Sequence, residues 1–100
     1  MRPRDSELSD YLSKHYGVPR INLGDFDIED AVISLVPKDV AWKYLAVPVA
    51  RQDSALIVAV ADPSNIYALD DFAVITGCKP IEPVVDTEAS IRKALARYYP

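Results

Sequence analysis

A chain of 100 residues, half of them hydrophobic and 26% charged, is long enough for one domain with a small core and too short for a second. Fifteen acids against eleven bases leave a formal charge of −4, which excludes a phosphate backbone as the general partner, because that contact needs clustered Lys and Arg. The single cysteine, Cys78, closes no intramolecular disulfide, no apolar run approaches the roughly 20 residues of a membrane span, and Met1-Arg2-Pro3-Arg4-Asp5 leads into no apolar signal core. The expected setting is a reducing cytoplasm, with no direct membrane insertion and any attachment to a membrane made through a partner.

The first element is a helix over 7–16, predicted by Leu8, Tyr11, Leu12 and Tyr16 at spacings of three and four, and closed by Gly17-Val18-Pro19. Pro19 favours an extended Val18, and Ile21 and Leu23 alternating with Asn22 and Gly24 predict a short strand or extended arm. Asp25, Asp27, Glu29 and Asp30 gather where negative charge favours a helix start, so a helix of about nine residues is expected through Ala31 to Val36. Pro37 breaks it and suits the first turn of a second helix, in which Val40, Ala41, Tyr44 and Leu45 share a face.

Ala46-Val47-Pro48-Val49-Ala50, the polar tetrad Arg51-Gln52-Asp53-Ser54 and the apolar run Ala55 to Ala61 predict a β-hairpin. Its second strand has no polar face and belongs at the centre of a sheet, covered on both sides. Pro48 confines the first strand to a place where one ladder donor is dispensable. Asp62-Pro63-Ser64-Asn65 ends the strand, and Leu69, Phe72, Ala73 and Thr76 form one stripe of a helix over 65–76 that stops at Gly77. Lys79 to Val85, carrying Pro80 and Pro83, predicts a strand nearer a sheet edge. Asp86-Thr87 then caps a last helix over 87–99, with Ile91, Ala94, Leu95 and Tyr98 inward and Arg92, Lys93 and Arg97 outward. The expected fold is α/β (α+β), a two-layer sandwich with a small sheet of three main strands. Residues 1–24 supply a helix and arm, and 25–99 the compact core of one domain spanning 1–100.

Catalytic constellations are missing. The glycines stand at 17, 24 and 77, and Gly77-Cys78-Lys79-Pro80 lacks both the preceding glycine and the following hydroxyl of a phosphate loop. One His and one Cys give no zinc spacing, and Asp25-Phe26-Asp27-Ile28-Glu29 lacks the glycine and distal glutamate of a calcium loop, so neither catalytic residue, metal nor cofactor is expected. Asp70 and Asp71 occupy adjacent helix positions that point about 100° apart, which reads as surface charge. Asp62, after the apolar strand, sits where α/β folds often place ligands, but reads first as the cap of the turn whose geometry Pro63 sets. Two aromatics stand off their stripes: Trp42, away from the 40/41/44/45 face, and Tyr67, nearly opposite the 69/72/73/76 face. These are the candidate partner contacts.

The linear pattern adds more than any single residue. Leu35-Val36-Pro37-Lys38-Asp39-Val40-Ala41, Leu45-Ala46-Val47-Pro48-Val49, Ala59-Val60-Ala61-Asp62-Pro63-Ser64-Asn65, Leu69-Asp70-Asp71-Phe72, Thr76-Gly77, Glu82-Pro83-Val84-Val85 and Ala96-Arg97-Tyr98-Tyr99, entered through Tyr16-Gly17-Val18-Pro19, resemble the N-terminal domain of type II secretion and type IV pilus assembly ATPases. The resemblance implies a non-catalytic docking domain. Its partner would be the cytoplasmic domain of an inner-membrane assembly protein, and it would serve an ATPase motor domain in cis or in trans. Some members of that family bind cyclic di-GMP through an upstream repeat that begins R-L-G. This sequence has no R-L-G, and no ligand residue carries over. The alternative is a regulatory module that senses cyclic di-GMP or a similar anion near Asp62 or the N-terminal arm, for which Arg20 and Arg51 are the bases in place.

Overall fold

A computed structural model, which describes residues 5–100, places the all-apolar run at the centre of a three-stranded sheet of order β1-β2-β3. β1 (Ala46–Gln52) lies antiparallel to β2 (Ala55–Val60), and β3 (Ile81–Val85) runs parallel to β2 on its other side. Successive strand residues point to opposite faces, so the complete burial of both Val58 and Ala59 means that both faces are covered, as expected. The β1–β2 register shifts between Pro48 and Ala50, an irregularity at the residue that has no N–H to offer a ladder. Gln52 pairs with Ala55, and the turn between them uses Asp53 at φ 56°, a left-handed conformation that aspartate tolerates.

Helices supply the rest. α1 (Asp5–Tyr16) is followed by a 3-10 turn (Leu23–Asp25), then α2 (Asp30–Ile33) and α3 (Lys38–Tyr44) precede the hairpin. α4 (Ile66–Thr76) makes the crossover that parallel strands require. It starts where the Asn65 side chain accepts from the Ala68 N–H and ends at Gly77, whose φ of 70° gives the left-handed stop. α5 (Glu88–Tyr98) starts where Thr87 Oγ1 accepts from the Ser90 N–H at 3.0 Å, and it buries Ile91, Ala94 and Leu95. Phe72 of α4 is fully buried and meets the Tyr44 ring edge-on at 6.4 Å.

Three expectations need correction. The helix of about nine residues shrinks to the four of α2. Leu35 and Val36 donate to carbonyls only three residues back, because a residue before proline is pushed out of the helical region. Of the two forms expected after Pro19, the segment takes that of an extended arm, with a single bridge, Arg20 with Val85, held by Ile21 N–H to Val85 O and Val85 N–H to Pro19 O, both at 2.9 Å. It then bends as Asn22 Oδ1 accepts from the Gly24 N–H. α1 forms as expected but packs its small side inward. Ser9 is buried, whereas Leu8, Tyr11 and Tyr16 stay exposed.

The third correction concerns the chain end. Tyr98 is half-buried, and Tyr99, just past α5, is the tyrosine that enters the core. The Tyr98 hydroxyl accepts from the Ile28 N–H at 3.0 Å, and that of Tyr99 donates to Ile33 O at 2.8 Å, so the two rings pin the 26–33 segment to α5. Burial pushes the Tyr99 phenol up from 10.0 to about 12. The folded state therefore disfavours the phenolate, and the contribution of Tyr99 to stability is complete below pH 10 and lost as the pH rises towards 12. Urea midpoints measured across that window are expected to fall more steeply for the native chain than for Tyr99→Phe.

Candidate functional site

The buried carboxylate of Asp86, 2% exposed, closes the C-terminal end of β3. Its Oδ2 accepts from the Leu23 N–H at 2.9 Å and its Oδ1 from the Thr87 N–H at 2.7 Å, which ties the arm to the start of α5. Arg20 lies alongside, with Nη2 3.9 Å from Asp86 Oδ1 and Nη1 3.0 Å from Asp10 Oδ1. Its guanidinium thus serves two carboxylates of its own chain. Arg51 stands at the far end of the sheet, paired with Leu56, while Arg20 bridges Val85, the partner of Val60. Four residues of extended chain separate these levels by about 13 Å, so the two arginines do not form one anion site.

Arg51 instead donates Nε–H to Asp53 O at 3.1 Å and edges a cleft of about 630 Å³ between the hairpin and the 26–35 segment. Ile21, Val32, Ile57 and Val84 give this cleft an apolar floor, and Asp27 and Glu29 stand with Arg51 among its lining. Asp27 is already engaged by Arg97 Nη2 at 2.6 Å, a contact that raises the Arg97 pKa chiefly through the hydrogen bond. Trp42 is half-buried. Its indole N–H donates to Tyr99 O at 3.0 Å, and its ring lines an open hollow with Lys38 and Ala96, so most of this side chain closes the chain's own C-terminal end.

Tyr67 is 74% exposed and has company that the sequence reading missed. Val74 is 83% exposed, and Ile66 and Ile75 also face water, so the outward side of α4 carries four large apolar residues. Tyr67 and Val74 are seven residues apart, which sets their side chains within about 20° of each other around the axis and some 10 Å apart along it. Asp70 and Asp71 lie between them, and α4 has no base. Asp71 accepts from the Tyr44 hydroxyl, and that hydrogen bond holds the Tyr44 phenol above its usual range. The signal was present: once Leu69, Phe72, Ala73 and Thr76 are assigned inward, Ile66, Val74 and Ile75 remain, and a helix apolar on both sides has a second side to cover.

Among the described residues no cluster of three or more His, Cys, Asp or Glu is arranged to hold a metal, and no helix is long and apolar enough to cross a membrane. Comparison with known proteins matches residues 16–100 to the MshEN domain family. The type IV pilus assembly ATPase PilB of Myxococcus xanthus is 59% identical over 95 residues, which are 95% of this chain and 17% of that protein. PilB of Thermus thermophilus is 28% identical over 96% of this chain and 11% of its own length. The chain therefore spans less than a fifth of these ATPases, and its glycines supply no phosphate loop. Among solved structures, MshE with cdg superposes with a TM-score of 0.85 at 22% identity, over 96% of this chain and 69% of that one. The N-terminal domain of XpsE gives 0.80 at 20%, over 95% and 66%. The fold is shared with both, and the chain belongs to the MshEN domain family, with type IV pilus assembly ATPases among its relatives.

Proposed function

We propose that this domain is a non-catalytic docking module of a type IV pilus or type II secretion ATPase. On the cytoplasmic side it binds the cytoplasmic part of an inner-membrane assembly protein and couples that protein to the motor. The observation that carries the reading is α4, whose outward side exposes Ile66, Tyr67, Val74 and Ile75 on a small acidic domain. Large apolar residues exposed together on the outward side of one helix mark a contact surface. The relatives, PilB assembly ATPases, supply the machine in which such a contact would work. Tyr67 is the central contact in this reading and the open edge of Trp42 a secondary one. The immobilised domain is expected to capture the purified cytoplasmic domain of the assembly protein saturably. Absence of capture by the folded domain would count decisively against docking.

A second reading, cyclic di-GMP sensing, is favoured by one observation, the likeness to MshE with cdg. Arg20 and Arg51, the bases available for it, stand at opposite ends of the sheet. Isothermal titration of the folded domain with cyclic di-GMP separates the two readings. Docking alone predicts no heat, and micromolar binding promotes the sensor.

A further inference from the structure

We infer that the outward face of α4 seats a basic amphipathic helix of the partner, a segment presenting two apolar side chains one heptad apart with Lys or Arg between them. The inference rests on the docking reading and specifies its chemistry. Tyr67 and Val74 supply two apolar anchors on one line of the helix surface, spaced so that a helix laid alongside meets them two turns apart. Asp70 and Asp71 occupy the interval. Neither takes part in an ion pair among the described residues, and α4 carries no Lys or Arg; Asp71 accepts from the Tyr44 hydroxyl, beside which Lys43 stands, so Asp70 is the more open of the two.

Charge selects among the possible occupants. A second copy laid antiparallel on this face, centred between the anchors, brings both copies' Asp70 and Asp71 to one crossing, where like charges repel. An anionic membrane surface meets two carboxylates on a helix that carries no base, on a chain of net charge −4. A helix with apolar anchors and a basic middle satisfies both the exposed hydrocarbon and the open carboxylate of Asp70, in the manner of helix-in-groove recognition.

The test titrates the 15N-labelled chain with a helix-stabilised synthetic peptide bearing leucines a heptad apart and arginines between them, and with a control in which glutamates replace the arginines. Saturable amide shifts confined to residues 66–75 are expected with the arginine peptide, and none with the control. Tyr67→Ser and Val74→Ser should each weaken binding roughly tenfold, and Asp70→Lys should weaken it about fivefold and reduce its salt dependence. All three positions are exposed, so unchanged urea midpoints are expected to certify folding. Shifts elsewhere, or an equal response to the glutamate peptide, overturn the inference. So does self-association in sedimentation, or binding to phosphatidylglycerol vesicles, if either is lost in Tyr67→Ser. The same variants carried into the capture assay separate the two readings. Capture that survives Tyr67→Ser and Val74→Ser sinks the α4 assignment and leaves docking standing. Peptide binding at α4 without capture of the assembly protein's cytoplasmic domain keeps the surface and sinks the docking reading.

Discussion

Replacing Asp86 with alanine is expected to lower the unfolding free energy by about 3 kcal/mol, because it leaves two N–H donors without their acceptor inside the protein. The donors are Leu23 N–H and Thr87 N–H, and the Arg20 guanidinium alongside loses one of its two carboxylates. Asp86→Asn separates charge from shape. The amide keeps one oxygen to accept with and turns its NH2 towards the other donor, so a loss close to that of alanine is expected despite the conserved volume. Urea unfolding measures both, and amide hydrogen exchange at Leu23 and Thr87 should accelerate in both. A loss below about 1 kcal/mol for alanine would mean that the arm is held by its backbone bridge and not by the carboxylate.

Phe72→Ala and Val74→Ala, two residues apart on one helix, are expected to differ by roughly 3 kcal/mol. Phe72 is fully buried and packs edge-on against Tyr44, so truncation removes both its transfer free energy and the fit of its pocket, about 3–5 kcal/mol. Val74 touches mostly water, and its loss should stay within about 0.5 kcal/mol. Parallel urea titrations with unchanged slopes are the check. A Val74→Ala penalty approaching that of Phe72→Ala would mean that the outward side of α4 is packed within this chain, and the docking surface would go with it.

Elements whose evidence is local were legible before the structure. The run from Ala55 to Val60 is apolar at every position, which suits only a strand covered on both faces, and α4 is bracketed by a side chain that caps its start and a glycine that ends it. What failed depends on partners far along the chain. Periodicity announces that α1 has an apolar stripe, but the packing against β3 favoured the small side of the helix, where Ser9 permits close approach. Tyr98 and Tyr99 are neighbours of one type at a helix end, and the choice between them rests on the direction of the chain after the last turn and on the carbonyl of Ile33. The candidate site followed the same rule. Tyr67 was visible because a helical wheel is local, whereas the engagement of Arg20 by Asp10 and Asp86 and the turn of Trp42 onto Tyr99 are decided by tertiary structure.

The bridge between the arm and β3 also sets how the domain carries tension. Pro19 to Ile21 run in the same direction as β3, with Val85 hydrogen-bonded to both sides of Arg20 and α5 following directly after. A pull on α1 against α5 therefore enters the arm at one end and leaves β3 at the other. The two backbone hydrogen bonds and the Asp86 contacts lie across that line and are strained together, so they must rupture as a set and cannot peel one by one. Tension applied between α1 and α5 is thereby borne in shear by the arm and the end of β3, with β1 and β2 lying outside the loaded path.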